Sequence, residues 1–207
     1  FDPAQAELKL LLVKRKNEPA KNKWALPGGF VHKSEEFIEI AKKKLVEETG
    51  VRDIYLEQLN GYALTGISGT RQVASFAFFA LIRYDALEQS EDSSHDCQWI
   101  HYKKVPTLPF DHSRKVKDAI ERIKETIRIR PIIFKLLPKK FPLNLLQRFY
   151  EELYGKKIDN RNFRRKIKSF EGIEPLKDME IGVTHRPSQL YRFNKNYLKS
   201  GFSFDFE

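Results

Sequence analysis

The sequence predicts an α+β protein with two domains, residues 1–126 and residues 127–207. The first domain contains both strand-like and helix-like apolar spacings, whereas the second has two helix-like segments followed by two strand-like ones. The excess positive charge lies in the second domain. Together these observations favour a mixed domain followed by a small helix-turn-helix domain that carries a pair of strands, or wing.

The net charge of +10 is unevenly distributed along the chain. Residues 1–126 contain 20 Lys and Arg against 19 Asp and Glu, whereas residues 127–207 contain 18 against 9. Positive charge concentrated in one domain is typical of proteins that bind a polyanion such as nucleic acid. A basic domain that is merely soluble is the alternative interpretation.

Composition limits the broad class and the location of the protein. No apolar run approaches the ~18 residues that a membrane-spanning helix needs, and no secretory signal is visible. Cys97 is the only cysteine, so an internal disulfide bond is impossible and a reducing cytoplasm is the expected setting. Because the chain starts at Phe1, we expect an N-terminal segment to be missing.

Apolar spacing predicts the elements of the first domain. Residues 36–48 and 113–126 have helical spacing, and in the second segment Val116, Ile120 and Ile123 fall on one face. Strand-like runs occupy residues 8–13, 53–59, 73–82 and 98–102. The run 73–82 is rich in Phe, which predicts that this strand is buried.

Residues 29–51 form a motif in which glycine and acidic residues recur at fixed spacings. In chain order its members are Gly29, Glu35, Leu45, Glu47, Glu48, Gly50 and Val51. Carboxylate oxygens are the ligands that Mg²⁺ and Mn²⁺ prefer, and glycine lets a phosphate group approach the backbone closely. The alternative is an ordinary helix with Glu47 and Glu48 in solvent. Its core side chains would be Phe37 or Ile38, Ala41 and Leu45.

Together with residues 24–30, this motif resembles the Nudix box, which implies a Nudix-like α/β/α sandwich. In that family, the glutamates of the box bind Mg²⁺ or Mn²⁺, and the metal polarises a diphosphate and helps to activate water. Here the family's Arg is Lys43, and the Glu after it is Lys44. Residues three and four apart share a helix face, so Lys44 is predicted to point toward Glu47 and Glu48.

We therefore expect a pocket that binds a phosphate or sugar effector but hydrolyses it poorly or not at all. No cofactor is required; Mg²⁺ or Mn²⁺ would serve residual hydrolysis, with Glu47 and Glu48 as weak metal ligands. Because Lys44 replaces the Glu of the Nudix box, no residue is assigned a catalytic role unless the domain is active, in which case Glu47 and Glu48 have it. The candidate effector-binding residues are Gly28, Gly29, Glu35, Lys44, Glu47, Glu48 and Arg71.

The second domain has the pattern of a winged helix-turn-helix. A helix beginning near Phe141 carries Leu145, Leu146, Phe149 and Leu153 and ends near Gly155. Asp159 or Asn160 is suited to begin the next helix as its N-cap. Strand-like segments at 173–183 and 190–193 complete the predicted wing.

The second of these helices has an apolar face and a basic face. Phe163, Ile167 and Phe170 would lie in the core, whereas Arg161, Arg164, Arg165 and Lys168 would form one basic stripe. A recognition helix in the DNA major groove requires this arrangement, although most basic helices are only solvated faces. The candidate DNA-binding residues are Arg161, Asn162, Arg164, Arg165, Lys168 and Arg186, with Arg161 predicted to contact a base.

Further motifs occur at 110–112, 134–138, 146–151, 159–166, 185–187 and 190–193. With the Nudix-like domain, they resemble the Nudix-related transcriptional regulators typified by NrtR. The resemblance implies a homodimer that binds a palindromic operator and releases it when a small effector binds the Nudix domain. That effector is ADP-ribose in the typical member and a sugar such as arabinose in some relatives. The segment 66–71 is shorter than this family leads us to expect, as if a loop were absent.

The sequence leaves two other hypotheses open. The chain could be an active Nudix hydrolase of ADP-ribose or a related nucleoside diphosphate, with Glu35, Glu47 and Glu48 sufficient for the metal. Alternatively, both domains could serve only protein–protein interaction. Metal-dependent turnover and operator binding separate these hypotheses from a ligand-responsive regulator, whose target genes and sign of regulation the sequence does not reveal.

Overall fold

A computed structural model describes residues 1–31, 35–52, 54–65, 72–86, 96–194 and 196–197. The strands are β1 (Lys9–Lys14), β2 (Trp24–Ala25), β3 (Glu57–Thr65), β4 (Gln72–Phe79), β5 (Cys97–His101), β6 (Phe141–Pro142), β7 (Ile173–Met179) and β8 (Gln189–Phe193). The helices are α1 (Phe37–Thr49), α2 (His112–Ile129), α3 (Ile133–Leu136), α4 (Leu143–Tyr154) and α5 (Asn160–Lys168), with short 3-10 turns at Tyr84–Ala86 and Tyr102–Lys104. The mixed α and β composition confirms the predicted fold class.

The chain divides into two compact units. One comprises Lys9–Ile82 and Ala86–Arg122, and the other comprises Phe1–Leu8, Arg83–Asp85 and Ile123–Glu207. The division thus falls within α2, and the first residues of the chain belong to the unit that contains α3 to α5. The sequence-based division into 1–126 and 127–207 remains a prediction.

In the unit of Lys9–Ile82 and Ala86–Arg122, β1 pairs with β2 on one side and with β5 on the other, both antiparallel. The central strand β1 is the most apolar, and the Leu12 side chain on it is fully buried. Strands β3 and β4 pair antiparallel with each other, with an irregularity between Gln58 and Gly61. Gly28 and Gly29 follow β2 in the chain, and α1 contacts β4 through Phe37 and Phe76.

Two strand predictions for this unit were wrong in position or burial. The strand predicted at 53–59 begins at Glu57 and continues to Thr65, while Asp53 lies outside the described residues. The strand β4 ends at Phe79, and the side chain of Phe76 is 40% exposed rather than buried. Phe76 packs on Phe37 of α1, with the two ring centroids 4.2 Å apart. Phe37 is itself 46% exposed, and Ile40 is the buried apolar residue of α1 instead.

The second unit has a dense apolar core under two of its helices. The fully buried side chains include Ile127, Ile133, Leu136, Phe141, Leu146, Phe149, Leu153, Phe163 and Ile167. Strands β6, β8 and β7 pair in that order, so the wing predicted at 173–183 and 190–193 is present with shorter first and longer second strands. The short helix α3 and the strand β6 were not predicted.

Residues 1–8 belong to the core of this second unit. The Phe1 ring meets the Phe149 ring edge-on at 5.1 Å between centroids, and Phe1 is only 5% exposed. The guanidinium of Arg148 donates a 2.6 Å hydrogen bond to the carbonyl of Gln5. The packing of the first residues on α4 adds apolar contacts that this small unit could not supply from its helices alone.

Glycines end the helices α1 and α4. Gly50 follows α1 with φ 72°, and Gly155 follows α4 with φ 69°. An L side chain is strained in this left-handed region, whereas glycine adopts it readily. In the described part of the chain, no helix has the length and apolar character needed to cross a membrane.

Candidate functional site

Lys44 of the Nudix-like motif lies against a carboxylate of the same helix, as its spacing predicted. The Nζ atom of Lys44 is 2.6 Å from Oε2 of Glu47, one turn further along α1. The side chains are 34% and 43% exposed, respectively, so the pair remains accessible to solvent and to a ligand. The hydrogen bond from Lys44 lowers the pKa of Glu47, and the same bond raises the pKa of Lys44, so both groups stay charged.

The aliphatic part of Lys44 lies over the backbone of Gly29. A Cβ atom added to Gly29 would be 2.7 Å from Cε of Lys44 and 2.8 Å from its Cδ. A side chain at position 29 would therefore make Lys44 move, whereas glycine lets the stem of the lysine lie close to the backbone. In the observed conformation, Lys44 lies over Gly29 and is bonded to Glu47.

Glu48 is directed to a different partner. Its Oε2 atom accepts a 2.8 Å hydrogen bond from the backbone N–H of Gly28. Partial burial raises the pKa of the Glu48 carboxyl, against the smaller opposite effects of the Gly28 N–H and of Lys44. The two adjacent glutamates thus have different hydrogen-bond partners, because Glu47 accepts from Lys44 whereas Glu48 accepts from the backbone of Gly28.

The remaining effector-site predictions have mixed outcomes. Glu35 is described and exposed, while Arg71 lies outside the described residues. Gly28, Gly29, Lys44, Glu47 and Glu48 do come together, and the charge of Glu35 also acts on Lys44. Their role in effector binding remains a prediction.

As they stand, these side chains do not fit a divalent cation. Within the described ranges, no group of three His, Cys, Asp or Glu side chains is arranged to hold a metal ion. The ammonium of Lys44 occupies the side of α1 from which Glu47 would otherwise reach such an ion, and Glu48 is bonded to Gly28. A Mg²⁺ or Mn²⁺ ion in this place would have to displace Lys44 or be repelled by it.

In the second unit, α5 begins at a well-formed cap and is anchored on the core. The Asp159 side chain accepts a 2.8 Å hydrogen bond from the backbone N–H of Asn162, which identifies Asp159 as the N-cap. Phe163 and Ile167 are 1% and 2% exposed, as their spacing predicted. Phe170 is half-buried and packs edge-on against Tyr197 at 5.1 Å.

The basic residues of α5 share one solvent-facing surface. A shallow concavity is lined by Asp159, Asn160, Arg161, Asn162, Arg164, Arg165 and Lys168. Arg164 donates through Nε to the Asn160 side chain at 2.9 Å, and Arg165 donates to the Asn162 side chain at 3.0 Å. Arg161 forms no hydrogen bond or ion pair within the described part of the chain. The predicted stripe is therefore formed, and two of its guanidinium groups are oriented by asparagines.

Asn160 was not predicted as a site residue. Its spacing of four residues before Arg164 could have identified it, because side chains at this distance meet on a helix. The predicted residue Arg186 is exposed on the connection between β7 and β8, outside the residues that line the α5 surface. The roles of these residues in DNA binding remain predictions.

Two family models match the chain in succession. Residues 1–122 match the NUDIX domain, and residues 133–193 match the NrtR DNA-binding winged helix domain. The ADPR responsive transcriptional repressor NtrR of Acinetobacter baylyi is 32% identical over 197 residues, which are 93% of this chain and 78% of the relative. This similarity therefore extends across both of the matched domains.

A hydrolase and a DNA complex are also similar to this chain. The ADP-ribose pyrophosphatase of Methanocaldococcus jannaschii is 33% identical over 110 residues, which are 53% of this chain and 64% of that enzyme. The crystal structure of Shewanella oneidensis NrtR complexed with a 27mer DNA has a TM-score of 0.74 and 28% identity, and covers 98% of this chain and 94% of its own. The enzyme thus matches about half of the chain, whereas the DNA-bound regulator matches nearly all of it.

Proposed function

Because the chain belongs to the Nudix-related transcriptional regulators typified by NrtR, we propose that it is a transcriptional repressor that ADP-ribose or a related nucleotide releases from operator DNA. The observation that carries this proposal is the similarity to a DNA-bound regulator over nearly the whole chain. A cytoplasmic location, where operator DNA and nucleotide are both present, is part of the proposal.

The second unit supplies the chemistry for DNA binding. Arginine and lysine on the exposed face of α5 would neutralise phosphates, and an arginine can bind the O6 and N7 atoms of guanine with both arms of its fork. The fully buried Phe163 and Ile167 hold this face on the domain core, so that the helix would enter the major groove as a rigid element. Arg161, at the N-terminal end of α5, is the best placed for base contact.

The effector would bind at the glycines and α1 of the Nudix domain. ADP-ribose is our first choice, since the repressor of Acinetobacter baylyi is named for its response to ADPR and the similar enzyme acts on ADP-ribose. The backbone of Gly28 and Gly29 and the ammonium of Lys44 would meet its diphosphate. A nucleotide that binds the DNA-free form more tightly than the DNA-bound form shifts the equilibrium toward release.

Hydrolysis is not part of the proposed function. The Nudix domain belongs to a hydrolase family, but Lys44 takes the place of a carboxylate that the resemblance assigns to the metal site. The domain would therefore retain ligand binding and respond to the ligand rather than consume it.

The test combines selection of DNA with release by the effector. Double-stranded sequences that the full chain enriches from a random library are measured by fluorescence anisotropy, with ADP-ribose added at increasing concentration. We expect selected DNA to bind about 10³-fold or more tightly than unselected DNA, and ADP-ribose, but not AMP, to dissociate the complex. An Arg161→Ala/Arg165→Ala variant serves as the control that folds but binds DNA weakly.

Two results would contradict the proposal. If no DNA sequence is enriched, the chain does not bind a specific operator. If ADP-ribose leaves the complex unchanged, ADP-ribose is not the effector. Release by another nucleotide or a sugar would keep the regulator and change only the identity of its ligand.

A further inference from the structure

Resting on the proposed function, we propose that the ammonium of Lys44 acts as a built-in cation, so that the Nudix site binds the diphosphate of ADP-ribose without Mg²⁺ or Mn²⁺. The proposal concerns how this chain's own residues meet the ligand, and it follows from the misfit between the site and a divalent ion. Three features of the site support it.

The first feature is the position of the charge. Lys44 lies on α1 with its Nζ atom 2.6 Å from Glu47, and the charges of Glu48 and Glu35 also act on it. A cation among carboxylates is what a diphosphate needs in order to approach them without repulsion. In this chain, the side chain of Lys44 supplies that cation, so no bound ion is needed.

The second feature is the remaining hydrogen-bonding capacity of Lys44. An ammonium group has three N–H donors, and Glu47 occupies one of them. The lysine side chain is 34% exposed, and among the described residues Glu47 is its one hydrogen-bond partner, so its other donors can meet the phosphate oxygens of a ligand. Such charge-assisted hydrogen bonds are stronger than neutral ones.

The third feature is the path of the side chain. The stem of Lys44 lies over Gly29, where a Cβ atom would come within 2.7 Å of it. A lysine that is already bonded to Glu47 loses less conformational freedom on binding than one that is free in solvent. The glycine next to it, Gly28, is held by Glu48 at 2.8 Å, so the loop and the cation are positioned together.

Lys42 provides a matched control on the same helix. It forms an ion pair with Glu39 at 2.8 Å, at the same spacing of three residues as the pair of Lys44 and Glu47. Two residues along a helix correspond to a rotation of about 200°, so Lys42 and Lys44 point to opposite sides. Substitutions at position 42 therefore change the charge of α1 without changing the site.

The first experiment measures Mn²⁺ binding by the full chain without nucleotide, from the electron paramagnetic resonance signal of free Mn²⁺. Wild type and Lys42→Glu should leave the ion free at concentrations at which Lys44→Glu, with a third carboxylate, takes it up. Uptake by wild type equal to that of Lys44→Glu, or no uptake by a folded Lys44→Glu, would overturn the proposal. Circular dichroism establishes folding of each variant.

The second experiment measures ADP-ribose binding by calorimetry, in EDTA and in Mg²⁺ at equal ionic strength. Wild type and Lys42→Gln should bind equally well in both, whereas Lys44→Gln should lose about 10-fold to 100-fold in EDTA, the loss expected for charge-assisted hydrogen bonds. Wild-type binding that requires Mg²⁺, or Lys44→Gln binding as tightly as wild type in EDTA, would also overturn the proposal. If wild type binds no ADP-ribose in either buffer, the proposed effector is wrong, and the Mn²⁺ titration still decides the role of Lys44.

Discussion

The backbone N–H of Leu26 donates a 3.1 Å hydrogen bond to Nδ1 of His112, and so ties the segment before the two glycines to the start of α2. Burial and, to a smaller extent, the positive charge of Lys115 together lower the pKa of His112 to about 4, against the opposing effect of Asp111. The imidazole is therefore neutral at pH 7, and its Nδ1 atom is the acceptor. The hydrogen bond depends on this neutral form.

This bond predicts a loss of stability in mild acid. Between pH 6.5 and about 4, the unfolded chain protonates His112 while the folded protein does not, so the free energy of unfolding falls as the pH falls through this window. The variant His112→Asn offers an acceptor oxygen but does not titrate. Its melting temperature should therefore fall less between pH 7.5 and 4.5 than that of wild type. His185→Asn, at an exposed histidine of the wing, should keep the wild-type slope. Equal slopes for wild type and His112→Asn would contradict the assignment.

The replacement of a carboxylate by Lys44 predicts little or no hydrolysis. With Mg²⁺ present, we expect wild-type turnover of ADP-ribose far below the common enzyme range of about 1–10³ s⁻¹. The double variant Lys43→Arg/Lys44→Glu restores the residues that the Nudix box requires and should recover some turnover, while Lys42→Glu should not. Phosphate-coupled detection of the released AMP, after phosphatase treatment, measures the rate. A wild-type rate within the common range would show that the lysine does not disable the site.

The exposed guanidinium of Arg161 predicts that a variant without it distinguishes less well between DNA sequences. An arginine bound to guanine with both arms contributes roughly 1–3 kcal/mol of discrimination, so Arg161→Ala should weaken binding to selected DNA more than to unselected DNA. The double variant Arg164→Ala/Arg165→Ala should bind both selected and unselected DNA more weakly. It should also reduce the slope of log affinity against log salt concentration by about one unit per lost phosphate contact. Lys166→Ala, on the same helix but outside the basic stripe, is the control. Wild-type affinity in folded variants of both kinds would exclude α5 as the DNA-contacting helix.

The burial of Phe163 predicts an effect on stability instead. Phe163 is 1% exposed, and truncation of a buried Phe to Ala costs about 3–5 kcal/mol. Phe163→Ala should therefore lower the urea midpoint of unfolding and lose DNA binding in parallel, and Phe163→Leu should have a smaller effect on both. Loss of DNA binding by a Phe163→Ala variant of wild-type stability would instead place this ring at the DNA.

Operator binding by a winged helix predicts a homodimer. A palindromic site requires two recognition helices related by a two-fold axis, with half-sites about one turn of DNA apart or a multiple of it. We expect the dimer to form mostly through the Nudix domain. Sedimentation at micromolar concentration should give twice the chain mass of 24.4 kDa. A monomer both with and without DNA would argue against this assembly.

The sequence alone predicted the features that depend on neighbours along the chain. The extent of α1 and the basic stripe of α5 follow from spacings of three to four residues, and the glycine after α4 and a cap at Asp159 or Asn160 follow from residue type. The charge difference between the two parts of the chain likewise needs no structure. These features predicted the winged helix, whereas the Nudix-like domain was predicted from the resemblance of residues 24–51 to the Nudix box.

Tertiary packing decided what these spacings leave open. Position 44 faces both Glu47 and Glu48 along the helix, but Glu48 bonds to Gly28, twenty residues away, and leaves Glu47 to Lys44. In the same way, Phe76 packs on Phe37 of α1, a partner distant in sequence, and stays 40% exposed although its Phe-rich strand predicted burial. A periodic pattern states which side chains share a face, whereas partners distant in sequence are selected by the three-dimensional arrangement of the elements. The sequence decided that position 44 carries an ammonium group rather than a third carboxylate, and the folded chain decided that this side chain lies over Gly29.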